Sequence, residues 1–341
     1  MFQFLVILFI CIIPSLSYGI QKTKVFILSG QSNCAGGGNG ELLEEKYKIN
    51  DPGIQQFTQI QGTRAWRPLA PYPRIAEKFG IDKLAFGPEL VFGRELRSHY
   101  PKQQFAIIKQ AKGGTSVVAW DKDYKSEDWL KNMILAGHDP EGKRKRDPLY
   151  PVLLNTVKEG LSQLKEPYEI CGFLWFQNER DSHHIKTAVE WSKRVIELAH
   201  HLFEDIGASK DLPIYIMEPH YFSKRMETPY TEQLMEQIKI LTHESTETTA
   251  ERLQSAMGLS KISQEEFKEL YMKAVGRNLS SLTQFHITGQ MRSKLIETLE
   301  QRPKTFMIEV DDLPTYEGIH FTSEGQTRIG KRLFQAYQKT F

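Results

Sequence analysis

The sequence predicts an α/β protein built around a doubly wound parallel sheet. Two observations lead to this: short apolar runs that are continuous rather than alternating, and helical periodicity between them. Continuous runs are typical of parallel strands covered on both faces, and strand–helix alternation places helices on both sides of one sheet. Five runs are predicted as strands: Lys24–Leu28, Gln104–Lys109, Ile170–Phe176, Leu212–Met217 and Thr305–Val310.

The segments between these runs carry apolar residues at helical spacing. Helices are predicted over Pro88–Tyr100, Leu149–Leu164 and Thr187–Phe203, and a last one after Ser323. The last helix is well marked, because Ser323 and Gln326 have the spacing of a capping box. Two segments interrupt the pattern. We expect the proline-containing segment 49–78 to be a loop-rich excursion, and the polar segment 242–304 to be a helical insertion of undetermined role.

Composition narrows the class of protein. The 341 residues are 25% charged, with a formal net charge of +2. Such a chain can bury a substantial core, and its near-neutral charge gives no reason to expect nucleic acid or an anionic membrane as a partner. We expect one domain over residues 20–341, with no further transmembrane segment.

Residues 1–19 read as a signal peptide. An apolar run, Phe4–Ile13, is ended by Pro14, and small residues follow around Ser17 and Gly19. The run is short for a membrane span. We therefore expect cleavage and a secreted or periplasmic protein, with an uncleaved membrane anchor as the alternative.

The two cysteines outside the leader are expected to be free thiols. Cys34 follows the carboxyl end of the first predicted strand, whereas Cys171 lies at the amino end of the third. In a parallel sheet, these ends are separated by more than the roughly 7 Å that a disulfide can bridge between Cα atoms.

A serine stands where open α/β sheets place their ligands. Gly30-Gln31-Ser32-Asn33 follows the first strand, so Ser32 lies at its carboxyl end. A neutral serine needs a base and an oxyanion site to act as a nucleophile. His320 can supply the base, and Glu317, three residues earlier, can fix its tautomer. Paired glycines, Gly113-Gly114, follow the second strand and let a backbone N–H approach a substrate oxygen.

Polar residues also follow the third strand, and one tryptophan lies in the 49–78 segment. Gln177 or Asn178 can donate a further hydrogen bond to an oxyanion. Trp66 either faces a sugar or anchors its loop, and the sequence leaves both readings open. Neighbouring histidines at 183 and 184 lack the ligand spacing of a metal site, so no metal is expected.

Five motifs in chain order resemble the SGNH-hydrolase superfamily, specifically its sialate O-acetylesterase and carbohydrate esterase family 6 branch. They are Gly30-Gln31-Ser32-Asn33, Phe86-Gly87-Pro88-Glu89, Gly113-Gly114-Thr115-Ser116 with Trp120, Trp175-Phe176-Gln177-Asn178-Glu179, and Glu317-Gly318-Ile319-His320-Phe321. The resemblance covers about residues 22–241 and 304–338. It implies a three-layer flavodoxin-like fold, a Ser–His–Asp triad, no metal, and removal of O-acetyl groups from carbohydrates. With the five strands predicted above, the expected fold has a central five-stranded parallel sheet, and no cofactor is expected.

Site roles follow from the resemblance, position by position. It implies Ser32 as nucleophile, His320 as general base and Glu317 as the acid. The implied oxyanion donors are the N–H groups of Ser32 and Gly114, with Gly113 close behind, and the side chain of Gln177. Expected substrate-binding residues are Gln31, Asn33, Asn178, Glu179 and Trp66.

Two departures from the family pattern keep alternatives open. Relatives usually carry Asp at the position of Glu317, and Gly at that of Asn178. Asp311 or Asp312 is the fallback acid. The leading hypothesis is a serine esterase acting on acetylated sialic acid or xylan. The alternatives are a lipid or aryl esterase, and a carbohydrate-binding protein with a decayed site.

Overall fold

A seven-stranded sheet forms the centre of the protein. The computed structural model describes residues 21–60, 62–74, 76, 80–81, 83–124, 148–183, 185–220, 279–316 and 318–340. The strands, in chain order, are β1 (Thr23–Gly30), β2 (Ile54–Ile60), β3 (Thr63–Pro68), β4 (Phe105–Ala111), β5 (Tyr168–Phe176), β6 (Ile214–Met217) and β7 (Thr305–Ile308). They lie in the order β7-β6-β5-β1-β4-β2-β3.

All five predicted strands are present, and neighbours among them are parallel. Numbered one to five along the chain, they lie in the order 2-1-3-4-5, which is that of flavodoxin-like folds. Along the chain, the second of these strands is added on one side of β1 and the third on the other. Folds of this kind bind ligands in the crevice at the carboxyl ends of the strands where this change of side occurs. The predicted three-layer α/β fold is confirmed.

Two predictions are wrong: that segment 49–78 is a loop-rich excursion, and that the sheet has five strands. The segment contains β2, which pairs in parallel with β4, and β3, which pairs antiparallel with β2 at the edge. Within β2, buried Phe57 packs on the ring of Trp66 in β3, with ring centroids 5.4 Å apart. Backbone pairing with β4 makes this glutamine-rich segment a strand, although it has no continuous apolar run.

Seven α-helices are described. They are α1 (Ser32–Ala35), α2 (Glu45–Lys48), α3 (Pro88–His99), α4 (Tyr150–Ser162), α5 (Ile185–Asp205), α6 (Leu279–Gln301) and α7 (Ser323–Gln338). The cap of α7 differs from the prediction. Its N-cap is Thr322, whose hydroxyl accepts the Gly325 N–H, while the Ser323 hydroxyl accepts the N–H of Asn39. Within the described ranges, no helix is long and apolar enough to cross a membrane.

Alternate residues of the strands build two cores. Val25 and Ile27 of β1 face one side, where α4, α5 and α6 pack, and Phe26 and Leu28 face α3 and α7 on the other. Helix α6 comes from the segment predicted as an insertion, and its Met291 is fully buried. The rest of that segment, 242–278, lies outside the described residues, as does the leader.

The ends of the central strands position the site. Gly30 of β1 pairs with Ala111 of β4 and Phe176 of β5, so the three following loops leave the sheet at one level. Cys34 and Cys171 are free and buried, which confirms the prediction of two free thiols.

Candidate active site

A glycine permits the turn that presents Ser32. Gly30 has a φ of 147°, and a Cβ on it would lie 2.1 Å from the carbonyl oxygen of Phe176. The chain is held there because the Gln31 N–H donates to that carbonyl at 2.9 Å. Helix α1 starts directly afterwards, so the Ser32 N–H lies in its first turn, where no intrahelical acceptor is available. The predicted position of Ser32 at the carboxyl end of the first strand is confirmed.

His320 lies within hydrogen-bonding distance of Ser32. Its Nε2 is 3.0 Å from the Ser32 Oγ. His320 begins a two-residue strand that pairs with Thr315–Tyr316, just before α7. Asn33 fixes this loop by donating to the Ile319 carbonyl and accepting the Phe321 N–H, both at 3.1 Å. The structure thus brings together a hydroxyl and an imidazole that are 288 residues apart in the chain.

The two fallback acids are engaged elsewhere. Asp312 accepts from Arg332 of α7, which holds the pKa of its carboxyl down at about 2. Asp311 pairs with Arg292 of α6, at 2.6 Å between Oδ2 and Nη1. Glu317, the acid predicted first, lies outside the described residues. These contacts favour neither aspartate as the partner of His320.

The paired glycines lie beside the nucleophile. A Cβ on Gly113 would be 3.9 Å from the Cβ of Ser32. The Lys112 N–H donates to the Gly30 carbonyl at 2.9 Å, which ties this loop to the turn before Ser32. Gly114 has a φ of 64°, a left-handed conformation that favours glycine. This arrangement places backbone N–H groups of a tight turn next to Ser32.

The side chain of Gln177 supports this loop, which corrects its predicted role as an oxyanion donor. Its amide nitrogen donates to the Thr115 carbonyl at 2.7 Å and to Asp181 at 2.5 Å, which uses both hydrogens. Its amide oxygen accepts from the Trp191 indole at 3.0 Å. The residue is fully buried. The local fold therefore occupies the whole amide.

Asp181 is a supporting residue that the sequence analysis did not single out. Its carboxylate accepts from the Ser116 hydroxyl and, at 2.9 Å, from the Val117 N–H, which fixes the end of the glycine loop. Burial raises the pKa of this carboxyl to about 6. In the sequence, Asp181 is marked by its position after the third predicted strand. That position does not show whether its carboxylate faces into the fold or towards a ligand.

Four predicted substrate-binding residues form a buried network instead. The Glu179 carboxylate accepts from the side-chain amides of Gln31 and Asn33, the two neighbours of Ser32, and at 3.2 Å from the Asn178 N–H. Asn178 also donates to the Glu218 carbonyl at 3.0 Å. All four side chains are buried. Their contacts position the nucleophile turn, which corrects the predicted contact with substrate.

The buried Glu179 carboxyl predicts a pH-dependent stability. Burial raises its pKa to about 7, so the native protein binds a proton that the unfolded chain releases near its model value of 4.5. Stability from this group is fully present below about pH 4.5 and is lost as the pH rises towards 7. As the pH rises from about 4.5 to about 7, we expect the titration of Glu179 to lower the free energy of unfolding by roughly 3 kcal/mol.

A matched variant isolates this contribution, since other groups titrate in the same range. The buried His220, for example, acts in the opposite direction because burial lowers its pKa to about 4. Urea unfolding at pH 5 and pH 7.5 gives the change in the free energy of unfolding with pH for the parent and for Glu179→Gln. We expect the parent to lose more stability with rising pH than the variant. An identical loss in both would rule out Glu179 as the source.

Trp66 is a packing residue, which corrects its predicted role in substrate binding. Its indole N–H donates to the Gly160 carbonyl of α4 at 3.0 Å, and its ring packs on Phe57. Trp66 pairs with Phe57 in the middle of β2 and not at the carboxyl edge. Of the two readings left open by the sequence, the structure favours the anchor.

His220 is a second residue that the sequence analysis missed. It follows β6, is 3% exposed, and packs on Phe321 with ring centroids 5.1 Å apart. It therefore lies against the loop that carries His320. In the described part of the chain, no group of three or more His, Cys, Asp or Glu side chains is arranged to hold a metal ion.

The described residues thus form a three-layer α/β protein with a serine–histidine pair at the carboxyl edge of its sheet. A family model described as carbohydrate esterase, sialic acid-specific acetylesterase, matches residues 22–277, which is more than half of the chain. The chain belongs to this family of carbohydrate esterases. Membership places it among the hydrolases that act on esters.

Solved structures share the fold at low sequence identity. A protein from Arabidopsis thaliana is 17% identical, with a TM-score of 0.53 over 94% of this chain and 99% of that one. NanS is 12% identical, with a TM-score of 0.51 over 94% and 98%. XAC1771, a carbohydrate acetylesterase from Xanthomonas citri, is 15% identical, with a TM-score of 0.50 over 92% and 55%. No curated protein sequence matches significantly.

Proposed function

We propose that this protein is a serine esterase that removes O-acetyl groups from carbohydrates through an acetyl-enzyme intermediate. The observation that carries the proposal is the 3.0 Å contact between the Ser32 hydroxyl and the His320 imidazole. It occurs in a carbohydrate esterase family, at the sheet edge where this fold binds ligands.

In the proposed reaction, the Ser32 Oγ attacks the acetyl carbonyl while His320 Nε2 takes the hydroxyl proton. The N–H groups of Ser32 and Gly114, with Gly113 beside them, stabilise the oxyanion. His320 then gives its proton to the sugar oxygen, and the C–O bond to the sugar breaks. Water, activated by His320, cleaves the acetyl-enzyme and releases acetate.

Glu317 is proposed as the acid that orients His320. The assignment rests on its spacing in the chain and on the arginine partners of Asp311 and Asp312. A carboxylate at the second ring nitrogen holds the tautomer that leaves Nε2 free to accept a proton. Glutamate differs from the usual aspartate by one methylene, which changes the backbone placement that it needs but not its charge.

Acetate release from acetylated sugars tests the proposal. The mature chain is incubated with O-acetylated sialic acid, acetylated xylan and N-acetylated sugar, and acetate is measured enzymatically, with Ser32→Ala as the control. We expect acetate from at least one O-acetyl sugar, none from the N-acetyl sugar, and none from the variant. Binding of O-acetyl sugars without acetate release would contradict the proposal and support the carbohydrate-binding alternative.

The acyl chain separates this proposal from the lipid-esterase alternative. We compare 4-nitrophenyl acetate with 4-nitrophenyl octanoate, since the leaving group is the same in both. An acetyl-specific enzyme hydrolyses the acetate faster, whereas faster hydrolysis of the octanoate would favour a lipid esterase.

We also propose export by the leader at residues 1–19. Amino-terminal sequencing of protein recovered from the medium or periplasm tests it, with Ile20 expected as the first residue.

A further inference from the structure

The motif Phe86-Gly87-Pro88-Glu89 takes no part in the proposed reaction, yet it packs directly against α1, the helix of the nucleophile. A Cβ on Gly36, the residue that ends α1, would lie 2.6 Å from both the Gly87 nitrogen and the Phe86 carbonyl oxygen. Helix α3 begins at the third residue of the motif, so Glu89 lies in its first turn. The motif therefore places a carboxylate close to the carboxyl end of α1.

This carboxylate pairs with a buried lysine. The Glu89 Oε1 lies 2.6 Å from the Nζ of Lys109 in β4, and the two side chains are 3% and 5% exposed. Gly87 leaves room for the pair, because a Cβ there would lie 2.4 Å from the other carboxylate oxygen and 3.0 Å from the ammonium. Burial alone would lower the pKa of Lys109, but the Glu89 carboxylate and weaker contributions raise it above its ordinary value. The lysine therefore stays charged.

The same ammonium contacts the nucleophile helix. The Lys109 Nζ donates to the Ala35 carbonyl, the last of α1, at 3.1 Å, and the Tyr72 hydroxyl donates to that oxygen at 2.6 Å. Helix α1 has only four residues, and its Gly36 N–H donates to the Ser32 carbonyl at 3.0 Å. A single helical turn is not stable by itself. Its position therefore depends on the groups that its ends contact.

Lys109 lies on the strand that leads to the proposed oxyanion turn. Strand β4 ends at Ala111, two residues before Gly113, and Lys109 pairs with Leu28 of β1. The lysine thus connects the strand before the oxyanion turn with the helix of the nucleophile. A buried ion pair is weak evidence for stability, because well-packed apolar residues of similar volume often replace it without loss. A role in positioning gives a reason for charge at this place.

We propose that Glu89 and Lys109 are positioning residues of the esterase. The ammonium holds α1 through the Ala35 carbonyl, and Glu89 keeps the ammonium in place. Helix α1 in turn keeps the Ser32 hydroxyl within reach of His320. This inference rests on the proposed function. Because both charged side chains are buried, they do not contact the ester, and their loss is expected to slow acylation without weakening ester binding.

Burst kinetics with 4-nitrophenyl acetate measure these two quantities separately. The initial release of 4-nitrophenol gives the acylation rate constant and the half-saturation concentration, with Ser32→Ala as the background. We expect Lys109→Met to slow acylation about 100-fold and to leave the half-saturation concentration within about twofold, as for a nucleophile displaced by about 1 Å. Glu89→Gln keeps the donor to the Ala35 carbonyl and is expected to slow acylation by less than about tenfold.

The double variant Lys109→Met/Glu89→Gln separates positioning from loss of stability. Lys109→Met alone leaves a buried carboxylate without its partner, whereas the double variant buries no charge at this place. We therefore expect the double variant to unfold at a higher urea concentration than Lys109→Met. Its acylation is expected to stay about 100-fold slower than that of the parent, because the Ala35 carbonyl still lacks the ammonium. Acylation that recovers together with stability would overturn the proposal.

Tyr72→Phe decides if neither Lys109 variant folds. It removes the other donor to the Ala35 carbonyl without leaving a charge unpaired, and is expected to slow acylation roughly fivefold, the effect of one hydrogen bond. Tyr150→Phe is the matched control. It removes a hydroxyl that donates to Asp205 at 2.7 Å, and is expected to keep the parental rate. Equal acylation in Tyr72→Phe and the parent would then overturn the proposal.

The parent protein shows which of the two proposals fails. Parental hydrolysis of 4-nitrophenyl acetate with unchanged acylation in Lys109→Met would overturn the positioning role and leave the proposed function standing. A parent that releases no 4-nitrophenol above the Ser32→Ala background, and is not labelled at Ser32 by a fluorophosphonate, would overturn both.

Discussion

Ser32→Ala and His320→Ala are each expected to lower kcat for acetate release by about 10⁴- to 10⁶-fold, because the two residues act as one unit. Without the hydroxyl no acetyl-enzyme forms, and without the imidazole the hydroxyl keeps its proton. The 3.0 Å contact joins them directly, so the double variant is expected to lose no more than the worse single one. Single-turnover acetate release measures all three.

Ser29→Ala is the matched control for this experiment. Ser29 is a buried serine three residues before Ser32, and its hydroxyl donates to the Gln110 carbonyl at 2.8 Å. The loss of that hydrogen bond is expected to lower stability by about 1 kcal/mol and to leave kcat within a few fold. Near-parental activity in Ser32→Ala would contradict the mechanism. Multiplicative losses in the double variant would show that the residues act independently.

Gly30→Ala is expected to have the largest effect on stability, at about 4 kcal/mol or more. A Cβ at this position would lie 2.1 Å from the Phe176 carbonyl oxygen, in a backbone conformation that L-residues rarely adopt. Relief requires β1 and β5 to separate at the point where the Gln31 N–H bonds that same carbonyl. The chain either unfolds or moves Ser32 away from His320. Urea unfolding and acetate release measure the two outcomes.

Gly207→Ala separates steric clash from backbone strain. Gly207 follows α5 with a φ of 70°, and a Cβ there meets nothing within 4 Å. It has positive φ without the clash, so the expected cost is about 1–2 kcal/mol and activity is expected to persist. Equal losses of stability in Gly30→Ala and Gly207→Ala would mean that the clash with the Phe176 carbonyl does not contribute to the cost of Gly30→Ala.

Several elements were predictable because a local pattern determines them. The five parallel strands are continuous apolar runs, a pattern that burial on both faces requires. The free cysteines followed from strand direction alone, since parallel strands keep Cys34 and Cys171 at opposite ends. The Ser32–His320 pair was predictable from motif order, because motifs that follow parallel strands meet at one edge.

Strands β2 and β3 were not predictable in this way. The sequence of β2, IQQFTQI, has few apolar residues, and glutamine is not among the residue types enriched in strands. The free backbone edge of β4 determines its conformation by accepting a parallel partner. The residues of β4 that pair with β2 lie about fifty positions further along the chain, as with Ile54 and Phe105, so no local pattern indicates the pairing.

The fold class, the direction of the strands and the pairing of a serine with a histidine can be predicted from the sequence, because they depend on residue order and local pattern. Which polar side chains face inward depends on the tertiary structure. Gln177, Glu179 and Asp181 have the same chemistry whether they contact a substrate or a neighbouring loop. A buried polar group must find a partner, and the partner is set by distances in space rather than by spacing in the chain.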